Sequence, residues 1–153
     1  MSGSEDGLHV LLRPVDVGDL DALYEHQADL EATTMAGFPA RDRPAFDAHW
    51  AKVLELPDVR PLAVVADGAL FGYVGAYDFE GHREIGYWLG RQAWGRGIAT
   101  AAVRLLLENE NTRPINAGVA PHNRASVRAL EKCGFTCVGV AESDGFLLFE
   151  LDA

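Results

Sequence analysis

Gln92-Ala93-Trp94-Gly95-Arg96-Gly97-Ile98-Ala99-Thr100 lies between a strand-like run, Glu84-Ile85-Gly86-Tyr87-Trp88-Leu89, and an apolar helical pattern that extends from Ile98 to Leu107. A strand, a tight glycine-containing loop and a helix together make an anion site. The loop aims successive backbone N–H groups at one point, and the helix N-terminus adds partial positive charge there. Gly95 and Gly97 let a ligand approach the backbone closely. The anion that suits such a loop is a pyrophosphate. A Walker A loop requires Gly-x-x-x-x-Gly-Lys-Ser/Thr, which does not occur here. A Rossmann fingerprint requires a third glycine where Thr100 stands and an acidic residue about 20 positions on, where the chain reads Ile115-Asn116-Ala117-Gly118.

Working outward, Leu8 to Arg13 reads as a first strand ended by Pro14, and Asp16 or Asp19 as the cap of a helix carrying Leu20, Leu23 and Tyr24. Thr33 to Pro44 reads as a loop broken by Gly37, Pro39 and Pro44, and Pro44–Leu54 as a helix with Phe46, Trp50 and Val53 on one face. Leu62–Ala66, Leu70–Tyr77 and Arg83–Leu89 form an antiparallel meander punctuated by Asp67-Gly68 and Glu80-Gly81. Beyond the glycine loop and its helix, Ile115–Val119 alternates as a short strand. Asn123 caps a helix that carries Val127 and Leu130 and ends at Gly134. Phe135–Val140 and Phe146–Leu151 close the chain as two strands joined through Ser143-Asp144-Gly145. The fold class is mixed α/β (α+β) in a single domain over 1–153, with residues 1–7 as a flexible tail.

The 153 residues are enough for one domain with a core, and 48% hydrophobic content excludes a disordered chain. No apolar run approaches the ~18 residues that cross a bilayer, and the polar, acidic Met1–Gly7 is unlike a signal peptide. The expected compartment is therefore the cytoplasm, with no membrane partner. Cys133 and Cys137 read as reduced, structural thiols, and no metal site is expected. A net charge of −10 argues against nucleic acid and favours cationic substrates.

Gln92-x-x-Gly95-x-Gly97 resembles the coenzyme A pyrophosphate loop, Gln/Arg-x-x-Gly-x-Gly/Ala, of the GNAT superfamily of N-acetyltransferases. Asn123-Arg124-Ala125-Ser126-Val127-Arg128-Ala129-Leu130-Glu131-Lys132-Cys133-Gly134-Phe135 is similar to that family's second helix pattern, and together with Glu84–Leu89 it looks like the RimJ/RimL branch. That branch acetylates protein N-termini and small-molecule amines. The resemblance implies a mostly antiparallel six- to seven-stranded mixed sheet with two splayed parallel strands, here Arg83–Leu89 and Ile115–Val119, and about four helices. It implies acetyl-CoA as cofactor and direct transfer, in a ternary complex, to a primary amine, either a peptide N-terminus or a small molecule. A homodimer is compatible with the family.

The same resemblance assigns residues. Tyr87, Trp88 and Leu89 would hold pantetheine through their backbone. Gln92, Trp94, Gly95, Arg96, Gly97, Ile98, Ala99 and Thr100 would surround the pyrophosphate, flanked by Arg91. Asn123 would bond a pantetheine amide. The common tyrosine acid falls at Leu130, which has no proton to give, so Ser126 is the replacement donor for the leaving sulfur. Glu84 is the favoured base, with His49 and His122 as rivals. Met35, Phe38, His49, Trp50 and Tyr77 would line the acceptor site. Two alternatives stand beside this: a coenzyme A-binding module without turnover, and transfer of an acyl group larger than acetyl.

Overall fold

The computed structural model describes residues 2–5, 8–37, 39–59 and 61–152. Phe38, one of the expected acceptor-site residues, lies outside them. Strands β1 (Ser2–Glu5), β2 (Leu8–Pro14), β3 (Leu62–Ala66), β4 (Ala69–Phe79), β5 (His82–Leu89), β6 (Ile115–Val119), β7 (Thr136–Val140) and β8 (Leu147–Leu151) form one sheet in the order β1-β2-β3-β4-β5-β6-β8-β7. Every neighbouring pair is antiparallel except β5 and β6. The eighth strand is the N-terminal stretch read as a tail, Ser2 pairing with Leu11 and Glu5 with Leu8. Ser, Gly and Glu are poor strand formers, so the pairing follows from the open edge of β2 rather than from local preference.

The described residues hold five α-helices: α1 (Leu20–Ala28), α2 (Leu30–Ala36), α3 (Arg43–Glu55), α4 (Ile98–Asn109) and α5 (Arg124–Lys132). The helix α2 occupies a stretch whose second half, Thr33 to Ala36, reads as loop in the sequence. Its β-branched threonines weaken the helical signal, but both ends are secured. The Asp29 side chain accepts from the Glu31 N–H, and Gly37, in the left-handed region at φ 81, donates to the Thr33 carbonyl. Asp16, not Asp19, supplies the cap before α1, by bonding the Gly18 N–H ahead of a short 3-10 turn. Asp19 is instead committed to Arg13 through two 2.8 Å bonds. The Asp67-Gly68 and Glu80-Gly81 pairs all have positive φ, as two-residue hairpins demand.

Alternation along the central strands gives each sheet face its own core. Val64, Ala66, Val74, Ala76, Ile85, Ile115 and Ala117 pack with Ile98, Ala102, Leu105 and Leu130 of α4 and α5. Ala63 and Tyr73 face the other way, onto Leu20, Leu23, Phe46 and Trp50 of α1 and α3. Among the described residues no helix is long and apolar enough to cross a membrane.

Candidate active site

The parallel strands β5 and β6 pair only at Arg83–Ile115 and Glu84–Asn116. Beyond that fork β5 stays on β4 as far as Leu89, and β6 stays on β8 as far as Val119. Their facing edges therefore part, leaving backbone donors and acceptors without a neighbouring strand. From the fork at Glu84 to Leu89 the slot runs about 17 Å at the ordinary strand rise. At its open end β5 enters the glycine loop.

The loop begins with the Gly90 N–H donating to the Phe71 carbonyl (2.8 Å), followed by a 3-10 turn, Arg91–Ala93. Gly95 (φ 72) and Gly97 (φ 75) are both left-handed, a conformation that ordinary side chains disfavour. A Cβ at Gly95 would meet nothing within 4 Å, so the need for glycine there is conformational and the space above it is open. Gly97 is the N-cap of α4, and no side chain caps that end. The first intrahelical bond is Ala101 N–H to the Gly97 carbonyl (3.1 Å), so the N–H groups of Ile98, Ala99 and Thr100 have no acceptor within the helix. The Ile98 and Thr100 side chains are buried, leaving their backbone as what the loop presents. Arg96 donates to the Gln92 carbonyl (2.9 Å) and lies over the Phe71 ring. Arg91 is held by Asp29 and Glu31 and ties α2 to the loop.

On the α4–α5 face of the slot, Tyr87 projects from β5 and its hydroxyl meets the Ser126 hydroxyl on the first turn of α5. Both groups are largely buried, and burial pushes the Tyr87 phenol up to about 12, so it stays protonated. Asn123 caps α5 by accepting the Ser126 N–H (3.3 Å). Leu130, one turn beyond Ser126, is fully buried in the core. The family resemblance implies only a backbone role for Tyr87. The signal for more was its alternation with Ile85 and Leu89, because a tyrosine on a buried face needs a partner for its hydroxyl.

On the α1–α3 face, Glu84 sits at the fork and accepts from the Tyr77 hydroxyl (3.3 Å). Burial raises the Glu84 pKa, partly offset by that bond. Burial and the adjacent carboxylate push Tyr77 up to about 12. Trp88 points the same way and donates to the His26 carbonyl (3.3 Å). Trp50, expected to line the acceptor site, is a core residue, 3% exposed and packed edge-on against Tyr73. His49 lies beside it on α3, its pKa lowered by burial and then by Arg41 and Lys52. His122 donates to the Thr34 carbonyl (2.8 Å). Met35, His122 and Trp94 line a cavity of about 500 Å³ with Asp29, Leu30, Glu31, Thr34 and Arg91 at the mouth of the slot. A polar cleft of about 350 Å³ at Asp58, Asp78 and Arg83 lies elsewhere, and its Arg83 is already bonded to Asp78, Glu110 and the Asp58 carbonyl.

An uncapped helix start beyond two left-handed glycines fits a pyrophosphate, and the unpaired edges fit an extended amide-bearing arm. Comparisons with known proteins agree. The profile of the acetyltransferase (GNAT) domain matches residues 9–136. The chain is 39% identical over 147 residues to the uncharacterized N-acetyltransferase p20 of Bacillus licheniformis, covering 84% of this chain and 80% of that protein. It is 42% identical over 64 residues to the probable N-acetyltransferase YjcK of Bacillus subtilis (strain 168), a match spanning 39% of this chain and 35% of that protein. Among solved structures, AAC(6')-Ib in complex with paromomycin and acetyl-CoA superposes with a TM-score of 0.78 at 25% identity, covering 92% of this chain and 91% of that one. RimJ of Mycobacterium smegmatis in complex with CoA-disulfide shares the fold, with a TM-score of 0.73 at 23% identity over 95% of this chain and 82% of that one.

Proposed function

Since the chain belongs to the GNAT family of acetyltransferases and is an acetyl-CoA-dependent acyltransferase, we propose that it moves the acetyl group to a small cationic primary amine, with Glu84 as base and Ser126, held by Tyr87, as the donor to sulfur. The observation that carries this reading is the placement of Glu84 and the Tyr87–Ser126 pair on opposite faces of one split in the sheet.

Acetyl-CoA, when bound, supplies the activated acyl carbonyl and the thiol leaving group. The N–H groups of Ile98, Ala99 and Thr100 would hold its pyrophosphate, with Gln92, Trp94, Gly95, Arg96 and Gly97 shaping the loop. The β5 edge at Tyr87, Trp88 and Leu89, with Asn123, would pair its amides. Glu84 takes the proton that the amine nitrogen loses as the new C–N bond forms. Its raised pKa makes it a stronger base than an exposed carboxylate. Neither histidine competes well. His49 is set back on α3 beside Trp50, and the His122 ring is engaged with Thr34. On the other face a Tyr87 O–H given to Ser126 would leave the serine proton for the coenzyme sulfur. A serine hydroxyl is far less acidic than a thiol, so Ser126 would offer the sulfur a hydrogen bond, and solvent would supply the proton that the thiol keeps.

The cationic acceptor is supported by the net charge of −10. AAC(6')-Ib, whose complex holds an aminoglycoside, supports the same class. The Asn123–Phe135 pattern supports the RimJ/RimL-like branch, and two cysteines in 153 residues fit a reducing compartment such as the cytoplasm.

The test is release of the coenzyme A thiol from acetyl-CoA in the presence of polyamines, aminoglycosides, amino acids and peptides with varied first residues. Turnover on a polyamine or aminoglycoside is expected. Preference for peptides replaces the acceptor class. Tight acetyl-CoA binding with no turnover on any amine replaces the enzyme with a coenzyme A-binding module.

A further inference from the structure

Asn116 is the last residue of β6 to pair with β5, so it stands at the fork itself. It is in register with Glu84 on one side and with Glu150 of β8 on the other, and Tyr77 is in register with Glu84. Residues in register share a sheet face. Tyr77, Glu84, Asn116 and Glu150 therefore form one row across four strands, on the face opposite Ile115, Ala117 and the α4–α5 core. Within that row the Asn116 Oδ1 is buried and has no hydrogen-bond partner among the described residues. A buried acceptor without a donor is rare and costs free energy. The neighbours in the row do not relieve it. The Tyr77 hydroxyl is given to Glu84, and the carboxylates on either side bring acceptors, not donors.

We propose that Asn116 positions the acceptor amine: its Oδ1 takes a hydrogen bond from an N–H of a cationic primary amine seated between Glu84 and Glu150. An ammonium carries three N–H donors and positive charge, so it matches a row of acceptors between two carboxylates. One N–H faces the Asn116 oxygen while another faces Glu84; the ammonium loses its first proton to solvent by way of Glu84, which leaves the neutral nitrogen directed into the split, and Glu84 takes the second as the C–N bond forms. Asn116 is thus a positioning and specificity residue rather than a proton carrier. It selects charged amines over neutral ones of similar shape. This inference rests on the reading that the acceptor is a small cationic amine.

The experiment uses the full chain with spermidine and kanamycin as acceptors, and compares Asn116→Leu with Asn116→Asp. Leucine removes the acceptor oxygen at similar size, whereas aspartate keeps it. In Asn116→Leu the KM for the amine should rise ~10- to 150-fold, the range for losing a hydrogen bond to a charged group. The KM for acetyl-CoA should stay within about twofold, and the melting temperature should hold or rise because an orphaned polar atom is gone. Asn116→Asp should keep the amine KM within about threefold of the parent. An unchanged amine KM in Asn116→Leu overturns the inference. So does equal damage by both substitutions, which would mean that the amide nitrogen or the packing is what matters. Glu84→Gln separates the two readings. If its pH profile is unchanged while the leucine–aspartate contrast holds, Glu84 is not the base and Asn116 still seats the amine. If neither spermidine nor kanamycin is acetylated by the parent, both readings fall.

Discussion

On the α4–α5 face of the split, Tyr87 and Ser126 meet as two buried hydroxyls. On the α1–α3 face, Glu84 stands as a half-buried carboxylate with Tyr77 as its donor. Both environments raise pKa values, with opposite chemical results. A phenol pushed up to about 12 keeps its proton, whereas a carboxylate whose pKa is raised becomes a better proton acceptor. The difference teaches how one sheet keeps a donor and an acceptor apart. They belong to alternate residues of the same strand, three positions apart, and the sheet itself is the partition. Acetyl transfer needs a proton removed from nitrogen and a hydrogen bond given to sulfur, and in the proposed mechanism each occurs on its own side of the split.

The largest effect should come from a change that removes both faces' shared ligand. Gly97→Val puts a β-branched side chain where φ is 75, at the uncapped start of α4. Calorimetric titration should show acetyl-CoA affinity falling on the order of 100-fold or more, ~2.7 kcal/mol. Unchanged affinity in a folded variant would remove the loop from the site.

Glu84→Gln tests the α1–α3 face alone. At neutral pH its kcat/KM should drop ~100-fold, within the usual range for a general base, with acetyl-CoA binding intact. The sign of the pH response follows from the ionised form being the active one. In the parent, activity falls as pH drops through the raised Glu84 pKa. In the variant that limb flattens, and rate returns partly at high pH, where the amine arrives neutral. A parent-like profile would pass the role to His49, His122 or water.

Ser126→Ala tests the other face and should cost ~10- to 100-fold in turnover. Tyr87→Phe, which removes only the hydroxyl bonded to Ser126, should cost about tenfold. Neither should move the acid limb assigned to Glu84. If Tyr87→Phe alters that limb, the two faces are coupled and the partition is not real. Full turnover in Ser126→Ala would show that the thiolate leaves unaided.

The smallest effect belongs to the cap beneath that face. Asn123→Ala removes the acceptor for the Ser126 N–H and should lower unfolding free energy by about 1 kcal/mol. It should raise the KM for acetyl-CoA a few-fold, measurable by denaturant titration and steady-state kinetics.

Local order dictated much of this molecule. The hairpins at Asp67-Gly68 and Glu80-Gly81, the glycine loop before α4 and the Asn123 cap of α5 each follow from what a few adjacent residues can do with their backbone, and all were readable from the chain. Alternation also divided β5 into Ile85, Tyr87 and Leu89 against Glu84, Gly86 and Trp88. It could not say which set meets which helices, because a period of two marks faces without naming what covers them. Only the assembled sheet settled that, by setting α4 and α5 on one side and α1 and α3 on the other. The same limit hid every contact between distant parts of the chain. Tyr87 finds Ser126, Arg91 finds Asp29 and Glu31, Trp50 is absorbed into a core with Tyr73, and Ser2–Glu5 completes the sheet along the edge of β2. A sequence specifies the chemistry each residue carries and the periodicity that groups it. Which groups meet is decided by the order in which the strands pair and the side on which each helix crosses.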